Sequence, residues 1–97
     1  MPKIKITKKH SVPMDQAEAR VKKIVEDFTA NFARIVKRVD WADDGRSATA
    51  KGKGFTGQFG VSESEVSVDI DLSFMATPFK SRVETEITQT LNSAFPE

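Results

Sequence analysis

A few residues in this 97-residue chain have types and spacings that could do chemistry, starting with the single histidine, His10, which is followed by Ser11. An imidazole works as a general base or a metal ligand only with companions, and the chain has no second histidine and no cysteine. Ser11 beside it does not set up a triad, because a triad is an arrangement in space and not in sequence. The expectation is a histidine held by backbone groups near a strand end. Asp69 and Asp71 stand two residues apart, which places them about 7 Å apart on one face of a strand. A carboxylate pair does acid–base chemistry when one member is desolvated. These two are expected to face solvent, with Gln58 and Thr56 as cross-strand neighbours.

The segment Gly52-Lys53-Gly54-Phe55-Thr56-Gly57 matches G-x-G-x-x-G letter for letter. A dinucleotide site needs that loop to open a helix whose N-terminus holds the pyrophosphate. Here Gln58 to Val61 continue with strand periodicity, and the chain is too short for a doubly wound sheet. Lys53-Gly54-Phe55 also begins like an RNA-recognition signature. Its fifth and eighth positions should be aromatic, and they are Gly57 and Gly60. Without adjacent aromatics there is no platform on which bases could stack. The residues therefore point to no catalytic centre, no cofactor, no metal and no nucleic-acid partner.

Any such residue has to be positioned by secondary structure, and the hydrophobic pattern is clear about most of it. Lys3 to His10 alternates, with Ile4 and Ile6 on one face, as a strand at a sheet edge does. Asp15-Gln16-Ala17-Glu18 has capping-box spacing, with Met14 before it as a staple. Ala17, Val21, Ile24, Val25, Phe28 and Phe32 then recur as the buried stripe of an amphipathic helix. Ile35, Val39 and Trp41 read as a strand running to a turn at Asp44-Gly45. That turn would set Trp41 opposite Ala48 and Val39 opposite Ala50, small partners that leave space for an indole or for the helix. After Gly54 the inward set changes parity to Phe55, Phe59 and Val61, which calls for a bulge or tight bend near Gly52 to Gly54. Val66, Val68, Ile70, Leu72 and Phe74 make the plainest strand, and the loop Met75 to Lys80, with Pro78, ends the sheet. Ser81-Arg82-Val83-Glu84 reads as a second capping box, opening a helix with Val83, Ile87, Leu91, Ala94 and Phe95 on its apolar side.

The resulting fold class is α+β in one domain, residues 1–97. An antiparallel β-sheet of four to five strands carries two helices packed on one face, in the order β-α-β-β-β-α, with one more strand if the glycine bend breaks the third. With 38% hydrophobic and 30% charged residues the composition is that of a globular domain. Met1 to Lys9 is basic, but no apolar stretch of a signal peptide follows it, and the longest apolar run, Phe74-Met75-Ala76, is too short to span a bilayer. The expectation is a cytoplasmic protein with no membrane insertion. The net charge of +1 conceals an uneven distribution: residues 1–38 hold ten Lys/Arg against four Asp/Glu, and residues 39–97 hold five against ten. Either a basic strand and helix lie beside an acidic sheet, or the asymmetry is a handle for a partner or for self-association. Among the apolar residues, Phe79 between Pro78 and Lys80 is the one expected at the surface. With Met75 it would form an apolar contact patch; the other arrangement is a plug over the core.

The chain also resembles the polyhydroxyalkanoic acid system protein family, small bacterial proteins linked to storage-polyester granules. The matching pattern is Ile4-x-Ile6-x-x-x-His10-Ser11-x-Pro13, then Ala17 and Val21, Gly54-x-x-Gly57, Leu72-x-Phe74, and Pro78-Phe79-Lys80 before Ile87. It covers nearly the whole chain and is loosest from Phe28 to Asp43. The resemblance implies association with the granule or a granule-associated protein, and it carries over no site residue. The expected function is a non-enzymatic accessory protein acting through an apolar surface or a bound partner. The alternative is a small apolar-ligand or lipid-binding module, a reduced version of the START-like helix-on-sheet fold with its ligand between the second helix and the sheet.

Overall fold

The computed structural model describes residues 3–96, with Phe74, Met75 and Ala76 described through their backbone only. Strands β1 (Lys3–Lys9), β2 (Arg38–Trp41), β3 (Ser47–Gly52), β4 (Phe55–Val61) and β5 (Glu65–Leu72) form one sheet in the order β1-β5-β4-β3-β2. Every neighbouring pair is antiparallel. Helix α1 (Met14–Asn31) connects β1 to β2, and α2 (Lys80–Ala94) closes the chain after a short 3-10 helix at Phe74–Phe79. Both helices lie on the face of the sheet that carries Ile4, Ala48, Ala50, Phe55, Phe59, Val66, Val68, Ile70 and Leu72. The order is β-α-β-β-β-β-α, with the glycine bend dividing the expected third strand.

That bend is a two-residue hairpin loop. Gly52 pairs with Phe55, and Lys53 and Gly54 make the loop, with Gly54 at a φ of 74°. A side chain at that φ would be strained. Paired residues share a face, so the inward set passes from Ala48, Ala50 and Gly52 to Phe55, Gly57, Phe59 and Val61, which is the change of parity seen in the sequence. Gly52 has a second reason to be glycine. A Cβ there would stand 1.5 Å from the carbonyl oxygen of Ile35, where the chain leaves α1 and crosses the sheet end. Gly57 sits between two phenyl rings, with a Cβ position 3.0 Å from Phe55 Cζ and 3.3 Å from Phe59 Cε2.

The β2–β3 register pairs Val39 with Ala50 and Trp41 with Ala48, as the Asp-Gly turn implies. The loop is one pair wider than a two-residue turn: Ala42 N–H donates to the Ser47 carbonyl at 2.9 Å, and Gly45 takes a φ of 71°. Ile35 is not on this strand. It is buried in the turn after α1, and β2 begins only at Arg38.

Neither helix begins with a capping box. Pro13 occupies the position before α1 with extended dihedrals and no side-chain cap, and its carbonyl accepts from Ala17 N–H at 2.9 Å. Asp15 falls in the first turn, where the positive end of the helix favours a carboxylate. Glu18 reaches across to Arg46 Nε at 3.1 Å and so ties α1 to the β2–β3 loop. At α2 the 3-10 helix runs straight in, and Phe79 already has helical dihedrals, φ −86° and ψ −6°. A capping residue needs extended dihedrals at its own position, so Ser81 lies within the helix.

The two helices run antiparallel. Arg20 near the start of α1 donates to the Ala94 carbonyl at the end of α2 at 2.8 Å, and Asn31 donates to Glu86 at 2.6 Å. Arg20 thereby satisfies a carbonyl that the end of α2 leaves open. Val21, Ile24, Val25 and Phe28 of α1 and Val83, Ile87 and Leu91 of α2 are buried against the sheet and each other. Phe28 touches Phe32, Phe55 and Phe59 with ring centroids 4.8 to 5.6 Å apart, the centre of the core.

Candidate functional site

His10 directly follows β1, with its side chain on the helix side, 7% exposed. Its Nε2 lies 2.8 Å from the carbonyl oxygen of Ser62, and Val12 N–H donates to Nδ1 at 3.1 Å. Since Nδ1 accepts, the proton sits on Nε2 and is donated to Ser62, the neutral tautomer fixed from both sides. The ring also packs on Phe95, with centroids 5.1 Å apart. The imidazole clamps the β4–β5 turn to the entrance of α1, and neither nitrogen is left for a substrate.

Asp69 and Asp71 are exposed on the sheet face away from the helices. Gln58 lies opposite Asp69 and Thr56 opposite Asp71 on one side; on the other, Lys5 faces Asp69 and Lys3 faces Asp71. These residues border a shallow depression of about 320 Å³. Each carboxylate thus stands across the strand from an opposite charge on an open surface. The same register brings part of the uneven charge distribution together. The basic N-terminal strand lies directly against the acidic β5, with Lys9 opposite Glu65 as well. Among the described residues no group of three or more histidines and carboxylates stands together as a metal site.

The glycines of the G-x-G-x-x-G match are divided among a close approach, a hairpin and a phenyl contact, and the residues after them are β4. Phe55 and Phe59 are core, 3% and 2% exposed. The region between α2 and the sheet is filled by Val83, Ile87, Leu91 and Phe95, each at most 1% exposed. That is the space an enclosed ligand would have to take.

Of the expected contact patch, Phe79 is half-buried and packs against the core. Met75 lies outside the described residues as far as its side chain is concerned. The segment between them is a 3-10 helix and not an irregular loop, with Thr77 and Pro78 exposed. Lys80 pairs with Glu84 at 3.5 Å, and the Arg82 guanidinium lies 5.8 Å from the centre of the Phe32 ring. One surface residue was not legible as such in the sequence. Trp41 is 37% exposed and is the one large hydrophobic residue so exposed among those described.

The model of the family described as "Putative polyhydroxyalkanoic acid system protein" matches residues 4–95. The chain belongs to this family. Its name links the family to the polyhydroxyalkanoic acid system, the association implied by the sequence motifs. No curated protein and no solved structure gives a significant match. Among the described residues no helix is long and apolar enough to cross a membrane.

Proposed function

We propose that this chain is a non-enzymatic accessory protein of the polyester storage system, working in the cytoplasm by surface contact with the granule or with a protein on it. The observation that carries this reading is the 3-10 segment Phe74–Phe79, Phe-Met-Ala-Thr-Pro-Phe, where β5 hands over to α2. Five of its six residues are apolar, yet Thr77 and Pro78 are exposed and Phe79 is only partly covered. Pro78 and the 3-10 hydrogen bonding hold the backbone in one conformation, which lowers the entropy lost on contact. Lys80, which follows it directly, is paired with Glu84 at 3.5 Å, so charged residues succeed the apolar ones as they do at the rim of a contact site. Polyester presents ester carbonyls and alkyl groups and little charge, which an apolar segment of this kind suits.

The test is Phe79→Ser, followed by sedimentation with isolated granules and by thermal melting. The expected result is a folded variant whose granule-bound fraction falls to background. Because Phe79 is half-buried, the melting temperature should fall by several degrees, roughly the effect of 1 kcal/mol in a domain of this size. A variant that stays on the granules as wild type does would remove this segment from the contact.

A further inference from the structure

The two edges of the sheet are β1 and β2, and they are built differently. β1 carries Lys3, Lys5, Lys8 and Lys9. A second copy laid along it would set lysine beside lysine, which is how natural sheets guard an edge. β2 is Arg38-Val39-Asp40-Trp41, which carries one charge of each sign in place of a row of like charges, beside the exposed Trp41. We infer that β2 is the joint between two copies of this chain, pairing antiparallel with β2 of the second copy about a twofold axis at Val39.

The backbone permits this register. Ala42 N–H donates to Ser47 on β3. Hydrogen-bonding direction alternates along an antiparallel ladder, so Asp40 also bonds toward β3, and Val39 and Trp41 turn their N–H and C=O groups to the free edge. Val39 opposite Val39 is then a hydrogen-bonded pair.

The side chains select it. With Val39 on the axis, Arg38 of each copy falls opposite Asp40 of the other. In the single chain Arg38 Nε already holds Asp40 Oδ2 at 2.7 Å along the strand, with both side chains well exposed. The charges are therefore on one face and free to exchange partners. On the other face, Trp41 of each copy lies opposite Lys37 of its mate and diagonal to Val39, both within reach of an indole. The strand is thus self-complementary on both faces, with Arg38 against Asp40 on one and Trp41 against Lys37 and Val39 on the other. A register centred on Arg38 or Asp40 would put like charges opposite each other. Pairing β2 with β1 would leave a free edge on each copy and grow into a filament, whereas the twofold joint closes and leaves only the lysine-bearing edges outside.

A contact this short is at the small end of specific interfaces, so an affinity in the micromolar range is expected. The test is sedimentation equilibrium of the full chain, wild type and the variants Arg38→Asp and Asp40→Arg. Each variant alone sets like charges opposite each other at both positions, and an equimolar mixture restores opposite charges at both. The expected result is a wild-type dimer, each variant weakened at least about tenfold, and a dimer again on mixing. All four residues of β2 are exposed or half-buried, and circular dichroism on each sample confirms the fold. A wild type that remains monomeric at about 1 mM, the weak limit of useful affinity, would overturn the inference. So would a dimer indifferent to either charge reversal, or variants that stay monomeric when mixed.

Discussion

At His10 the two ring nitrogens answer two backbone groups, Ser62 C=O and Val12 N–H. His10→Ala would leave both without a partner in a nearly closed site and remove the packing on Phe95. The expected cost is about 1–3 kcal/mol, the range for orphaning buried polar groups, read as a lower urea midpoint. The folded fraction should still bind granules as wild type does. Unchanged stability would mean the ring does not clamp the β4–β5 turn. The sequence carries this role indirectly: with no second histidine or cysteine in the chain, the expectation is a histidine held by backbone groups near a strand end, and its parity with Ile4 and Ile6 puts it on the helix side. Trp41 shows where such reasoning stops. Alternation assigned its face and its partner Ala48 correctly. Whether a helix covers that face depends on where α1 crosses the sheet, and α1 lies over β4 and its neighbours, leaving the β2 edge partly bare.

Elements were legible where side-chain periodicity specifies them and not where the backbone path does. The stripes of both helices and the alternation of Val66, Val68, Ile70 and Leu72 are in the structure as read, but β5 stops at Leu72, and Phe74, expected as its last inward residue, opens the 3-10 helix instead. Both helix starts are displaced because Pro13 and the 3-10 helix already set the entering backbone, so the cap-like residues became ordinary first-turn positions. The glycines give the sharpest check on this level. Gly52→Ala should cost more than about 4 kcal/mol or prevent folding, since its Cβ would meet the Ile35 carbonyl at 1.5 Å. Gly60→Ala, whose nearest neighbour would be Ser67 Oγ at 3.5 Å, should stay within about 1 kcal/mol of wild type. Equal denaturation midpoints for the two variants would contradict the described crossing of the chain at Gly52. Leu91→Ala should lower stability by ~2–5 kcal/mol, because Leu91 is 1% exposed between α2 and the sheet. A midpoint unchanged by that substitution would mean α2 is not docked there.

For the molecule as a whole, part of the charge asymmetry of the sequence becomes a neighbour relation, the basic β1 laid against the acidic β5. That leaves the open sheet face mixed in sign and well solvated. The two proposed contact surfaces are the 3-10 segment leading into α2 and the β2 edge with its exposed Trp41. These lie at separate places in the fold, one after β5 and the other on the far edge strand, so granule contact and pairing of copies can be tested independently. The granule contact is the central claim, and backbone hydrogen exchange with and without granules tests it most directly. Contact through the segment predicts slowed exchange confined to residues 74–84, with β4 and β5 unchanged because their amides are already in the sheet. Binding accompanied by protection elsewhere, with residues 74–84 exchanging as in the free protein, would contradict it.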